Sequence, residues 1–239
     1  MSRSRSRWPV VLWNGFCYAV GGIVVGVLAL QLWFLGHILY WNAFNPSNTA
    51  FMQRRLEAMR AKDPRAQLRR QWVPYDAISP HLKRAVVVAE DARFLDHEGF
   101  DWQAIHEAIA KNERRGKVVA GASTISQQLA KNLFLSGERS WARKGEEAAI
   151  TWMMEQTMSK RRILELYLNV AEWGDGVFGA EAAARYHFGV PASALVPEQA
   201  AWLAAILPSP RTYKRGAITR YSVERARVIF DRMPGAQIP

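Results

Sequence analysis

The sequence contains a single cysteine, Cys17, among 239 residues. One thiol excludes an internal disulfide framework and any zinc site that is built from several cysteines. The H-E-x-x-H pattern of a zinc-binding helix is also missing, because "HEGFD" and "HEAIA" both lack the second histidine. The sequence therefore predicts no metal centre held by its own side chains.

Charged residues are absent from Trp8 to Gln53. A membrane-spanning helix needs about 20 apolar residues, and the run from Val10 to Leu35 supplies them. Aromatic residues typical of membrane interfaces lie beside this run or near its two ends: Trp8, Trp13, Trp33, Tyr40 and Trp41. A cleaved signal peptide would have a shorter apolar region and an A-x-A site after it, which we do not find. Residues 10–35 are therefore predicted to form an uncleaved transmembrane anchor.

Three arginines, Arg3, Arg5 and Arg7, precede the anchor directly, whereas Arg54 and Arg55 follow it at a distance. Basic residues close to a span stay in the cytoplasm, and long domains are translocated largely regardless of their charge. We therefore expect residues 1–9 in the cytoplasm and a single pass through the bacterial inner (plasma) membrane. The remaining chain is expected on the periplasmic or outer face.

Acidic residues are outnumbered, with 21 Asp and Glu against 32 Lys and Arg, which gives a net charge of +11. This excess predicts an anionic partner: nucleic acid, a lipid surface or a phosphorylated substrate. Residues 36–70 are interpreted as a juxtamembrane linker followed by a basic helix that Pro64 interrupts. That helix is either a solvated face or a contact with anionic lipid headgroups.

Residues 71–239 show no convincing series of strands and carry repeated helix signals. Ser79-Pro80 is a capping pair that predicts a helix from about His81 to Phe94. Asp101 can cap the next helix, and Gly116 stands where that helix should stop. Apolar residues recur at three- and four-residue spacing through most of the segments that follow. The sequence predicts one mainly α domain.

The segment "AVVVAEDARFLDHEGFD" places an apolar run directly before the paired acids Glu90 and Asp91. Burial at the edge of a core raises the pKa of a carboxyl group, which makes a glutamate a useful general base near neutral pH. The alternative is a carboxylate at a helix end that is paired with Arg84 or Arg93. His97, in the loop that follows, either holds a ligand or bonds to a nearby aspartate.

Two further segments have both a structural and a functional interpretation. In "GASTISQQLAKN", hydroxyl groups and free backbone N–H groups at a helix start suit phosphate, and Thr124, Gln127 and Lys131 share one helix face. An ordinary solvated face has the same pattern. In "RKGEE", Arg143 and Lys144 lie on the side of Glu147, either as a simple helix salt bridge or as a cationic clamp beside a carboxylate.

Taken together, four segments resemble the successive motifs of the bacterial peptidoglycan glycosyltransferases of family 51. They are "EDARFLDHEGFD", "GASTISQQLAKN", "RKGEEAAITWMMEQTMSKRRILELYLN" and "WGDGVFGAEAAARYHFG", and the resemblance covers about residues 70 to 213. The S-x-x-K and K-T-G motifs of an additional penicillin-binding domain do not occur. The resemblance therefore implies a monofunctional member with a mostly helical, lysozyme-like domain behind its anchor.

The resemblance also implies a reaction and roles for individual residues. The enzyme would polymerise lipid II into β-1,4-linked glycan and release undecaprenyl pyrophosphate, with Glu90 as the general base and Glu147 as the second catalytic acid. The implied substrate-binding residues are Asp91, Phe94, His97, Ser123, Thr124, Gln127, Gln128, Lys131, Asn132, Arg143 and Lys144. No tightly bound cofactor is implied, although Mg²⁺ or Mn²⁺ could assist the leaving pyrophosphate.

The implied partners are lipid II, the polyprenyl-linked glycan chain, the membrane and other proteins of cell-wall synthesis or division; nucleic acid is not among them. Two rival functions stay open from the residues alone. A lysozyme-like hydrolase would use Glu90 to protonate a leaving sugar oxygen, but it has no anionic leaving group to clamp. A non-catalytic, membrane-anchored scaffold would bind nucleic acid or a partner through its basic surface and would not depend on Glu90.

Overall fold

The computed structural model describes residues 8–117, 121–135, 140–213 and 218–239, with side chains from residue 13 onward. The first helix, α1 (Trp8–Ala43), contains an apolar span from Trp13 to Ala43, in which a stretch of 18 residues has a mean hydropathy of 2.0 and is 6% buried against the rest of the protein. Such a helix is long and apolar enough to cross a membrane. This is compatible with the predicted anchor.

The end of α1 is packed against the domain. Phe34 and Ile38 are buried, and the ring centroid of Phe134 lies 5.2 Å from that of Phe34 and 5.0 Å from that of Trp41. The helix therefore continues to Ala43, past the anchor end that was predicted at Leu35. Since about 20 residues suffice to span a membrane, the last turns of α1 are available for this contact.

The helix α2 (Ala50–Arg60) is capped by Thr49 and ends before Pro64, within the segment that was predicted to contain a basic helix. As predicted, Ser79 caps the next helix, α3 (Pro80–Glu90). The prediction that this helix reaches Phe94 is wrong, because α3 ends at Glu90. Asp91 leaves the helical conformation, with φ −164° and ψ 73°, and its side chain bonds to groups outside α3.

The helix that Asp101 was predicted to cap begins at Trp102 and stops at Gly116, which adopts φ +61°. This confirms both signals, since a left-handed glycine is a common helix stop. The longer helices after α3 are α4 (Trp102–Arg115), α5 (Ile125–Phe134), α6 (Trp141–Thr157), α7 (Lys160–Val170), α8 (Ala180–Phe188), α9 (Pro197–Ile206) and α10 (Arg220–Arg232). The prediction of a mainly α fold is confirmed.

A small sheet contains the strands β1 (Arg69–Arg70), β2 (Glu172–Gly174) and β3 (Val177–Phe178) in the order β1-β3-β2. Arg69 lies opposite Val177 in the parallel pair β1–β3, whereas β2 and β3 are antiparallel. The sequence showed no strand series because segments of two or three residues are too short to reveal an alternating pattern.

The core lies between α3, α5, α7 and α9, and α10 packs against α9 and α3. Leu82, Leu129, Leu164 and Leu203, one from each of these four helices, are fully buried. Each buried leucine contributes roughly 1.5–3 kcal/mol relative to an exposed one. This packing holds the C-terminal end of α3 beside α5, α7 and α10.

Candidate active site

Glu90 is the last residue of α3, and its side chain is 12% exposed. Its Oε2 accepts a hydrogen bond from Gln128 Nε2 of α5 at 2.8 Å. Its Oε1 has no hydrogen-bond partner within the part of the chain that the structure describes, and Arg225 Nη2 of α10 lies 3.9 Å away. Arg93, which the sequence offered as a partner of Glu90, pairs with Asp101 instead.

Burial raises the pKa of Glu90 above its ordinary value, because an ionised carboxylate is poorly stabilised away from water. The hydrogen bond from Gln128 and the positive charges of Arg225 and Lys131 oppose this rise, and the neighbouring Asp91 adds to it. The balance of these effects leaves the pKa of Glu90 raised, which is the direction expected of a general base that works near neutral pH.

Asp91, the neighbouring acid, has a different environment. Its Oδ1 lies 2.9 Å from His97 Nε2, and its Oδ2 accepts a hydrogen bond from the backbone N–H of Ile125 at 3.0 Å. A carboxylate at a helix N-terminus is favoured by the helix dipole. Asp91 and His97 therefore connect the loop after α3 to the start of α5, and their binding of substrate stays a prediction.

The loop between α3 and α4 is held in place by buried contacts. Phe94 is fully buried, with Lys160 Nζ 4.7 Å from its ring centroid, and its contact with substrate stays a prediction. Lys160 also donates to the carbonyl oxygen of His97 at 2.5 Å. Gly99 has φ +89°, and a Cβ atom there would lie 2.8 Å from Thr151 Cγ2, which excludes larger residues.

The start of α5 is organised by a capping box. The backbone N–H of Gln127 donates to Thr124 Oγ1 at 3.2 Å, and the backbone N–H of Thr124 donates to Gln127 Oε1 at 3.1 Å. The Thr124 hydroxyl donates in turn to the carbonyl oxygen of Gly99 at 2.7 Å. Asn132, which was predicted to bind substrate, is buried further along α5 and lines neither of the two cavities described below.

A cavity of about 370 Å³ lies between α2, α5 and α6, and we call it the cationic cleft. Arg143 Nη1 lies 3.0 Å from Glu147 Oε2, and Lys144 pairs with the other oxygen of that buried carboxylate. Four cationic side chains against one carboxylate leave an excess of positive charge that suits a phosphate group. The cleft is lined by Phe51, Arg54, Ser123, Gln127, Gln128, Lys131, Leu135, Arg143, Lys144 and Glu147.

A second cavity, of about 430 Å³, lies between the end of α3 and α4, and we call it the α3–α4 cavity. Glu90 lines it, and Ser123 lines both this cavity and the cationic cleft. Gln128, a wall of the cleft, is hydrogen-bonded to Glu90. The structure thus brings the predicted base next to the predicted cationic clamp.

The sequence alone assigned no role in the site to three of the side chains that lie here, Phe51, Arg54 and Arg225. Phe51 and Arg54 lie on α2, which the sequence indicated only as a basic juxtamembrane helix, and both line the cationic cleft. Arg225 belongs to the C-terminal basic segment, and α10 brings it to Glu90. No local motif marks these positions, because their role depends on how α2 and α10 pack.

Three potential metal ligands, Asp91, His97 and Asp101, have donor atoms within 4.8 Å of one another. Their oxygens and nitrogens already have protein partners: Asp91 bonds to His97 and to the Ile125 amide, and Asp101 bonds to Arg93 and caps α4. Both oxygens of Glu147 are likewise paired with cations. In this arrangement these groups do not fit a divalent cation.

The family model described as Transglycosylase matches residues 56–234. The biosynthetic peptidoglycan transglycosylase of Nitrosospira multiformis is 54% identical over 233 residues, which cover 98% of each chain. The protein of the same name from Nitrosomonas eutropha is 56% identical and covers 89% of this chain and 87% of its own. That of Dechloromonas aromatica is 55% identical and covers 91% of this chain and 94% of its own.

A mainly α domain that carries a buried carboxylate beside a cationic cleft is therefore found in a chain that matches these transglycosylases along nearly its whole length. The chain belongs to the transglycosylase family. It is accordingly an enzyme, a glycosyltransferase, as the four motifs predicted. This removes the non-catalytic scaffold that the residues alone had left open.

Proposed function

We propose that this protein polymerises lipid II into β-1,4-linked glycan strands and releases undecaprenyl pyrophosphate. The names of the relatives support peptidoglycan as the product. The observation that carries the reaction itself is the cationic cleft beside a carboxylate of raised pKa. A transfer that expels a pyrophosphate needs a base on one side of the reacting carbon and cations on the other.

Glu90 acts as the general base in this proposal. It takes the proton from the 4-hydroxyl of the acceptor glucosamine, and that oxygen attacks the anomeric carbon of the muramic acid at the reducing end of the lipid-linked chain. Oε2 is held by Gln128, whereas Oε1 has no hydrogen bond in the described part of the chain and retains its capacity to accept one. A base must come within hydrogen-bond reach of the hydroxyl that it deprotonates.

The cationic cleft receives the departing pyrophosphate. The bond between the anomeric carbon and the phosphate oxygen breaks, its electron pair leaves with the pyrophosphate, and the configuration inverts from α to β. Lys131, Arg143 and Lys144 neutralise the charge that develops on the leaving group, as preorganised cations do in a transition state. Glu147, buried between Arg143 and Lys144, holds those two cations in place.

The membrane anchor fits a substrate with a polyprenyl tail. The end of α1 is packed on the domain, and α2, the next helix along the chain, forms one wall of the cleft. The cleft would therefore lie close to the bilayer surface, where lipid-linked substrates are found. We place the domain on the periplasmic or outer face of the inner membrane, with lipid II, the growing glycan and the membrane as its partners.

A hydrolase that cleaves glycan with the same carboxylate would expel a neutral sugar hydroxyl. Such a leaving group makes no use of a cleft that is lined by four cationic side chains and a single carboxylate. This feature favours the polymerase over the hydrolase.

The experiment that tests the proposal uses the full-length protein in detergent with labelled lipid II. The wild type should produce a polymer that muramidase digests, and Glu90→Gln should produce none. Glu98→Gln is the matched control, because Glu98 is an exposed acid in the loop that follows α3 and lines neither cavity. Polymer formation by Glu90→Gln would show that another group is the general base. Hydrolysis of finished glycan by the wild type would contradict the proposed polymerase activity.

A further inference from the structure

Three side chains from three helices form a continuous hydrogen-bonded chain behind the α3–α4 cavity. The Tyr167 hydroxyl of α7 donates to Gln128 Oε1 at 3.0 Å. Gln128 Nε2 donates in turn to Glu90 Oε2 at 2.8 Å. Tyr167 is 2% exposed and lines neither cavity, and its hydrogen bond to Gln128 connects it to the site.

The direction of each bond follows from what the groups can donate. Burial, together with the nearby negative charges of Glu90 and Asp91, raises the pKa of Tyr167 well above its ordinary value, so the phenol keeps its proton. A side-chain amide has an acceptor at one end and a donor at the other. Gln128 Nε2 also points at the carbonyl oxygen of Ser123 at 3.5 Å, and a carbonyl can only accept.

We propose that Tyr167 is a positioning residue for the general base, because its hydroxyl holds the Gln128 amide with the N–H end towards Glu90. That orientation stabilises the ionised carboxylate and occupies Oε2, which leaves Oε1 for the substrate hydroxyl. The reactive role of Glu90 in this statement rests on the proposed function, whereas the effect on its protonation does not.

Without the hydroxyl, Gln128 Oε1 loses its donor, and only the Glu90 carboxylate and the long contact with the Ser123 carbonyl oxygen still favour the present orientation of the amide. A reversed amide would place Oε1 against Glu90 Oε2, and two acceptor oxygens repel each other unless the carboxyl group is protonated. Loss of the Tyr167 hydroxyl should therefore raise the pH at which Glu90 loses its proton. The other charges around Glu90 remain unchanged in such a variant: Arg225 of α10, Lys131 of α5 and the adjacent Asp91.

The first measurement is an infrared titration of the Glu90 carboxyl group, taken as the difference between a protein with Glu90 and the matching Glu90→Gln variant. Tyr167→Phe should move the midpoint upward by about one pH unit, the size expected from the loss of one hydrogen bond to the charged form. Tyr75→Phe is the matched control, because Tyr75 is also buried and donates to the carbonyl oxygen of Pro239, away from both cavities.

The second measurement is the rate of glycan formation against pH. Tyr167→Phe should lose activity near neutral pH and recover much of it at higher pH, whereas Tyr75→Phe should follow the wild-type profile. A purely structural loss at Tyr167 would lower the rate by the same factor at every pH, which would overturn the proposal.

Gln128→Met keeps the shape of the side chain without its amide, and it should raise the same midpoint. Adding Tyr167→Phe to Gln128→Met should then cause no further shift, because the path through the amide is already broken. Additive shifts, or an unchanged midpoint in a folded Tyr167→Phe protein, would refute the positioning role. The titration requires no turnover, so failure of lipid II polymerisation would refute the proposed function separately.

Discussion

Arg225 Nη2 lies 3.9 Å from Glu90 Oε1, so the C-terminal helix α10 places a positive charge beside the carboxylate that ends α3. The two residues are at opposite ends of the domain sequence, and both α10 and α9 pack against α3. The cation favours the ionised form of Glu90, which lies in a site that otherwise favours the protonated form.

Replacing Arg225 should therefore raise the pKa of Glu90 further. We expect Arg225→Gln to move the acidic limb of the pH profile of glycan formation upward by roughly half a unit, a modest value because the arginine is partly exposed. The profile is measured with labelled lipid II. Arg227→Gln, an exposed arginine on the same helix, should leave the limb in place. An unchanged limb in Arg225→Gln would mean that water already screens the pair.

Glu90→Gln should stabilise the protein while it abolishes activity. Because burial raises the folded-state pKa of Glu90 above its ordinary value of 4.5, the folded protein holds this proton more tightly than the unfolded chain. Stability is therefore lost as the pH rises from about 4.5 through the folded-state pKa. Glutamine does not ionise and escapes this loss.

The predicted stabilisation is checked by thermal unfolding of the wild type and of Glu90→Gln in detergent at several pH values. The melting temperature of Glu90→Gln should exceed that of the wild type at neutral pH, by about 2–4 °C for each kcal/mol recovered. The difference should shrink towards zero below about pH 4.5. A variant that is less stable at neutral pH would show that the charge pairs of Glu90 outweigh its burial.

Arg54 should strengthen binding of the lipid-linked substrate. It is an exposed residue of α2 that lines the cationic cleft together with Lys131, Arg143 and Lys144. Arg54→Gln should raise the KM for lipid II roughly two- to fivefold with little change in kcat, the size expected for a solvent-screened charge contact. Arg60→Gln is the control on the same helix, outside the cleft. Equal KM values for the two variants would exclude Arg54 from the binding site.

Arg162 should couple the anchor to the domain. It donates to the carbonyl oxygen of Trp41 at 2.7 Å and to that of Phe44 at 2.8 Å, where α1 ends. Arg162→Gln should cost about 1–3 kcal/mol of unfolding free energy through these bonds. It should reduce polymerisation more in lipid vesicles than in detergent. Without the contact, the anchor in the bilayer no longer fixes the distance of the cationic cleft from the membrane surface.

Comparing initial rates in the two environments checks this prediction. Arg161→Gln provides the control, since Arg161 is the neighbouring residue and pairs with the exposed Asp76. Equal losses in vesicles and in detergent would mean that the contact stabilises the fold without orienting it at the membrane.

The amino-acid sequence by itself determined the features that depend on neighbouring residues. An uncharged apolar run predicted the long helix α1, and capping residues such as Ser79 and Asp101 marked helix starts that the structure confirms. The i+3 and i+4 spacing of Lys144, Arg143 and Glu147 predicted a cluster that the helix forms by its own geometry. The four motifs, in their order, indicated the family.

Only the tertiary structure decided which side chains meet across long separations. It ended α3 at Glu90, turned Phe94 and Asn132 away from the cavities, and brought Arg225 from α10 and Arg54 from α2 to the site. A helical pattern shows which face of a helix is apolar, but not which helix will cover it. The choice of partner depends on how whole helices fill the core, and that packing also gave Glu90 its buried environment and Gln128 its orientation.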